Sequence, residues 1–329
     1  MPRLYLWCFM EQWTNYWQHT FSLNSFAEGK AAFGYNGELQ RFWHKKMPNT
    51  VNDTNILDIG TGNGALAVLC YQYAASLRYS WSITAIDVAD INPKKNKYED
   101  VSINDALDYI EFFGGTAIEF TSFNDSKFDF LCSQFSLEYS NLILALPECV
   151  RLLKPGGKLC AVMHSERSHI VLDSKIGLEV LNVFLIKSDI FILVEKTLML
   201  AEELLKRGEK VKGNSTFNLL NASLLKSVSI LQQQVKNEEN QHWFDSVIGV
   251  IAPLLYKLSI GNINIFTEYV KQLTYYRMRI IDQLDAVMNE KRIKEVNNIL
   301  SRLSVQCSWS ELIIENQYFG CILEARKAS

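Results

Sequence analysis

The sequence predicts an α/β protein built on a mostly parallel sheet, interrupted by a large helical insertion and closed by an antiparallel hairpin. Three observations carry that prediction. Asn55 to Ala67 runs as a short apolar strand (Ile56 to Ile59), a glycine-dense turn (Gly60, Gly62, Gly64) and the first residues of a helix. Strand-like and helix-like segments then alternate to about residue 165, as in a sheet with helical crossovers. From 166 to 303 apolar residues recur instead at three- and four-residue steps, and strand patterns return only after 304.

The elements follow in chain order. Residues 11–46 are rich in aromatics, and Trp13, Tyr16 and Trp17 share one face of a short helix. Gly34 to Gly37 reads as a turn, with Asn36 the expected cap of a helix reaching Lys46. At the glycine turn, glycine lets a ligand approach the main chain closely, and the helix behind it offers unpaired N–H groups and a positive dipole end. Open α/β sheets bind ligands at such strand ends. Gly60-x-Gly62-x-x-Ala65 also satisfies the dinucleotide fingerprint. Asp58, two residues before the first glycine, would repel a pyrophosphate and suits a ligand with an ammonium group. Trp81 to Ile86 is a second strand ending in Asp87. The interval from Gly64 to Asp87 fits the roughly 20-residue spacing to an acid that takes ribose hydroxyls; a helix cap is the alternative role for Asp87.

Beyond Asp87 the pattern predicts a helix over 104–113 stopped by Gly114-Gly115, a third strand over 117–123 and a fourth from Phe128. Residues 141–153 read as a helix that either bends at Pro147 or starts near it. Lys158 to Met163 is the fifth strand, with His164 at its carboxyl end. Within 166–303, helical stripes run through Phe217 to Val235, Phe266 to Val287 and Ile293 to Leu303. Gly208, Gly213, Gly261 and Asn237 to Asn240 mark the breaks. Trp309 to Glu315 and Tyr318 to Ala325 form the closing strand pair around Asn316-Gln317.

Composition narrows the class. A net charge of −3 offers no global attraction for nucleic acid or anionic membrane. The seven cysteines, at 8, 70, 132, 149, 160, 307 and 321, contain no C-x-x-C pair and sit largely in apolar runs, which implies reduced thiols in a cytoplasmic protein. The five histidines show no zinc spacing with them, so no metal is expected. Charges and Pro253 interrupt the apolar stretches at 176–201 and 247–266, so no membrane span is expected. Residues 1–9 lack a signal-peptide cleavage pattern and are expected to be a loose extension before Met10.

Leu57-Asp-Ile-Gly-Thr-Gly-Asn-Gly64 resembles motif I of the class I S-adenosylmethionine (SAM) dependent methyltransferases. Phe128-Asp129 resembles the start of the family's fourth strand, and Leu152-Leu-Lys-Pro-Gly-Gly157 the connection into its fifth. The resemblance covers about 55–165 and 305–326. It implies a Rossmann-like class I methyltransferase sheet with a C-terminal antiparallel hairpin, SAM as cofactor and a methyltransferase activity. Carried over residue by residue, Asp58, Gly60, Thr61, Gly62, Asn63, Asp87, Val88 and Gln134 become cofactor contacts. Val88 would pack on adenine, and Phe123 and Asn124 would lie near it. Trp17, Tyr35, Ser136, Glu138 and Tyr139 would face the acceptor. His164, an imidazole at the end of the fifth strand, is the candidate catalytic base; a histidine simply hydrogen-bonded at a strand end is the alternative. The Asn/Asp-Pro-Pro-aromatic signature of nucleic-acid amino-methyltransferases is missing from Ser133-Gln-Phe-Ser136, so the expected substrate is a small molecule, with O- and N-methylation both open.

The expected organisation is an aromatic helical cap over 1–50, a SAM-binding core over 51–165, a helical insertion over 166–303 that serves as a lid or dimerisation element, and the last two core strands over 304–329. Two other functions compete: a SAM-binding scaffold of the same fold without turnover, and a nicotinamide dehydrogenase. Asp58 and the Lys-Pro-Gly-Gly connection disfavour the second. Acceptor, pathway and oligomeric state leave no mark on the sequence.

Overall fold

Strands β1 (Asn52–Ile59), β2 (Ser80–Ile86), β3 (Glu111–Phe113), β4 (Phe128–Gln134), β5 (Leu153–Met163), β6 (Gln306–Ile314) and β7 (Gln317–Arg326) form one sheet. Its order is β3-β2-β1-β4-β5-β7-β6; β1 to β5 pair in parallel, and β7 is antiparallel to both neighbours. The computed structural model describes residues 10–26, 29–49, 52–235 and 237–329. The expected extension at 1–9 lies outside them.

The chain divides into two compact units. One runs to Val171 and resumes at Asp282–Ser329; the other is Leu172–Ile281. In the first, side chains alternate across the pleat, so neighbouring residues of one strand serve opposite layers. Ile56 joins Leu66, Leu69, Leu107 and Trp43 on one face. Leu57 and Ile59 join Leu146, Leu152, Val296 and Leu300 on the other. Asp58, two residues from Ile56, therefore looks to the side covered by the helices Gly37–Lys46 and Ala65–Leu77.

Several elements differ from their sequence prediction. The helix expected to reach 113 ends at Tyr109, and the third strand is Glu111–Phe113, paired with Thr84 to Ile86. Residues 117–123 form no strand. The main chain instead turns back beside Asp87, whose carbonyl accepts from Thr116 N at 2.8 Å. Asn36 stands at the cap position of Gly37–Lys46, but its side chain makes no capping bond. The helix Leu142–Leu152 starts well before Pro147 and continues unbroken past it. The helix Glu290–Arg302 buries Val296 and Leu300 in the core of the first unit. The second unit is thus narrower than the expected 166–303.

The second unit holds most of the helix His169–Asn182, the helices Ile190–Lys206, Ser215–Gln234 and Glu238–Tyr256, and most of Asn262–Ala286. Asn214 and Asn237 cap two of them, accepting from the N–H groups of Phe217 and Asn240. Phe184 packs against Phe191 and Phe244, and the Trp243 indole donates to Asp173 at 3.0 Å. No helix of the described residues is long and apolar enough to cross a membrane.

Candidate functional site

The carboxyl ends of β1, β2 and β4 open on a cavity of about 530 Å³. Its floor is the glycine turn. Gly60 and Gly62 have φ of 68° and 55°, a region that a side chain strains. Both also touch their covers: a Cβ on Gly60 would stand 1.5 Å from Ser136 Oγ, and one on Gly62 would stand 2.4 Å from the Trp17 ring. The turn is held by Ile86 O, which accepts from Gly60 N (2.8 Å) and Thr61 N (3.0 Å). The Asp87 carboxylate accepts from Gly62 N and Ala89 N, each at 2.8 Å.

Two buried carboxyls face this floor. Asp58 Oδ2 accepts from the Thr61 hydroxyl at 2.6 Å. Burial pushes the Asp58 pKa up to about 7, against the Thr61 bond, and the nearby Asp87 charge pushes the same way. Burial likewise lifts Asp87 to about 6, against its two backbone N–H partners. Burial and the Asp58 charge raise the Tyr35 hydroxyl well above its ordinary range. At the end of β4, Gln134 Oε1 accepts from the buried Trp43 indole at 2.8 Å, while its Nε2 is buried without a partner. That donor is available to a ligand.

Of the residues singled out from the sequence, Asp58, Gly60, Thr61, Asp87, Val88 and Gln134 line the cavity, as do Trp17, Tyr35, Ser136 and Tyr139. Gly62 lies beneath Trp17 instead of facing the space. Asn63 is fully buried, and its amide donates to Thr20 O and Ser22 O at 3.3 and 3.0 Å, tying the segment after the first helix to the turn. Phe123 and Asn124 do not reach the cavity; Thr116 to Phe120 take that wall.

His164 and Glu138 are corrections of another kind. Neither lines the cavity. Glu138 Oε1 accepts from both His164 N and Nδ1 at 2.8 Å. The imidazole is stacked on Phe135, with ring centroids 4.1 Å apart. Met288 N donates to His164 O at 2.7 Å, and Arg292 Nη2 donates to Glu138 O at 2.7 Å. The pair is buried behind the aromatic wall, and its geometry positions that wall. Sequence reasoning missed Phe135, which lines the cavity with φ of 55° and carries the stack. A lone aromatic after a strand carries no signal of a left-handed backbone. Trp13 and Phe26, also on the wall, stood in the aromatic segment without being singled out.

Residues 57–161 match the family described as a methyltransferase domain. No curated protein matches the chain. Among solved structures, a geranyl diphosphate methyltransferase bound to its diphosphate and sinefungin is 16% identical over 39% of this chain and 44% of its own, with a TM-score of 0.32. The chain thus spans a little under half of that protein. A geranyl diphosphate C-methyltransferase from Streptomyces coelicolor is 13% identical over 48% of this chain and 65% of its own, at TM-score 0.35. A SAM-dependent methyltransferase fold from Methanococcus maripaludis aligns with 88% of this chain and 84% of its own, at 12% identity and TM-score 0.38. Residues 57–161, which run from β1 into β5, therefore match a methyltransferase domain, and the antiparallel pair closes the same sheet.

Proposed function

We propose that the chain transfers a methyl group from SAM to a small-molecule acceptor bound in this cavity. The observation that carries the reading is the pair of buried carboxyls, Asp58 and Asp87, flanking a three-glycine turn with no cationic side chain among the described lining residues. Each is lifted in pKa by burial, which outweighs the hydrogen bonds it accepts, and no cation among those residues stands beside it to offset that. A ligand bringing an ammonium group and a sulfonium would supply that compensation, and a hydroxyl pair would use the lone pairs the Asp87 oxygens keep beyond their backbone bonds. The cavity volume falls within the range of cofactor sites.

In this reading Asp87 takes the ribose hydroxyls, Val88 and Ile118 flank the base, and Asp58, Thr61 and Gly60 meet the amino-acid end. Gln134 offers its unused amide donor. SAM supplies a methyl group on a sulfonium, a leaving group that needs little help. The chain's own residues then work by placement and by excluding water. Trp17 seals the turn through Gly62, Asn63 holds the segment behind Trp17, and Tyr35, Phe135 and Tyr139 wall the acceptor side. No protein base is assigned, since His164 is committed to Glu138. The insertion is read as the part that adapts a common core to one acceptor or to a second copy of the chain.

The test is incubation of the full chain with SAM carrying an isotope-labelled methyl group and a small-molecule extract, with mass spectrometry of the products. Label in a product that depends on Asp58 supports the proposal. SAM binding without any labelled product from a broad extract would favour a scaffold.

A further inference from the structure

The charged side chains lining the cavity among the described residues are all acids: Asp58, Asp87 and Glu119. The helix N-terminus that borders the cavity at Asn141 is already taken. Asn141 N donates to Glu119 Oε1 at 2.8 Å and Ile143 N to Asn141 Oδ1 at 3.1 Å. An anionic ligand therefore finds neither a cationic side chain nor an open helix dipole on this wall.

Seven aromatic rings among the described residues share the lining with aliphatic and polar side chains, and Trp13, Trp17 and Tyr139 cluster among them. Trp13 lies 6.4 Å from Trp17 in a stacked arrangement and meets Tyr139 edge-on at 5.7 Å. The Trp13 indole N–H donates to an Asp282 carboxylate oxygen at 3.0 Å. A negative charge at the indole nitrogen raises electron density on the ring, and electron-rich indoles are the strongest aromatic partners of a cation.

We propose that the aromatic part of the cavity takes an organic cation, so that the acceptor carries an ammonium group and no phosphate or carboxylate at that end. The assignment rests on the reading of this cavity as a methyl-transfer site. Its own content is the sign of the charge that the second ligand bears. Asp58 and Asp87 serve the glycine-turn end, which Trp17 covers, while Glu119, tied to Asn141 beside Tyr139, adds its charge on the side of Trp13 and Tyr139.

Three probes of nearly the same shape isolate charge: choline, its uncharged carbon analogue 3,3-dimethylbutan-1-ol, and the anion 3,3-dimethylbutanoate. Calorimetric titration of the full chain, with and without saturating S-adenosylhomocysteine, should show choline binding at least about ten-fold more tightly than the alcohol, and no binding of the anion. Trp13→Leu should erase that preference, while Trp13→Phe, which keeps a ring, should retain most of it. Equal affinity for choline and the alcohol, preference for the anion, or binding of none of the three would overturn the proposal. S-adenosylhomocysteine binding, read in the same series, bears separately on methyl transfer. Its failure beside a clear choline preference would sink that function and leave the cation site standing.

Discussion

Replacing Asp58 by asparagine should stabilise the ligand-free protein while weakening its binding of SAM. The side chain is 1% exposed, and burial lifts its pKa to about 7; in the unfolded chain it titrates near ~3.9. Between those values the folded protein keeps a proton that the unfolded chain has released. Stability therefore falls as pH rises through that window, and the full penalty is present above it. A gap of about three pH units, at about 1.36 kcal/mol each, puts the penalty at roughly 4 kcal/mol. Asp87, lifted to about 6, adds a smaller penalty of the same sign. An amide at position 58 carries no charge at any pH, and its carbonyl can still accept from Thr61. Urea unfolding at about pH 5 and about pH 8 reads the effect directly. The variant should gain roughly 2–4 kcal/mol over wild type at the higher pH and much less at the lower. Parallel pH profiles, or a variant less stable at the higher pH, would refute the argument.

Other outcomes follow from single contacts. Gly62→Val places a branched side chain where the Trp17 ring lies 2.4 Å away, at a φ of 55°; it should displace the first helix, seen as a tryptophan fluorescence shift, and abolish SAM binding. Trp43→Phe removes the indole donor to Gln134 and should cost about 1–3 kcal/mol in urea unfolding, because a buried acceptor is left unpaired. His164→Ala should cost about 1–3 kcal/mol by stripping Glu138 of a donor, and His164→Gln should recover much of it. If methyl transfer is measured, His164→Gln should retain most of the rate; a folded variant slower by about 100-fold or more would restore His164 as a base.

What the sequence disclosed was local. The glycine turn, Asp58, Asp87 and the strand starting at Phe128 announce themselves through spacing and residue type within a few positions, and β1, β2, β4 and the closing hairpin follow from them. What it concealed depends on partners distant in the chain. The three-residue edge strand at Glu111–Phe113 is shorter than the apolar run over 117–123 that outcompetes it as a sequence pattern. The helix Glu290–Arg302 has the same stripe as its neighbours, and only Val296 and Leu300 packing against Leu146 and Leu152 assigns it to the core. At the site, His164 and Glu138 have the residue types of catalysis, yet their pairing turns them away from the cavity. Phe135 has no such type and holds the wall.

The most direct measurement is a calorimetric titration of the full chain with SAM, with S-adenosylhomocysteine and with NAD, repeated on Asp58→Asn. The account predicts one site for each of the first two, none for NAD, and affinity for SAM weakened by at least about ten-fold in the variant, the loss of a charge-assisted contact. A folded wild-type protein that binds neither SAM nor S-adenosylhomocysteine, or that binds NAD in their place, would contradict it.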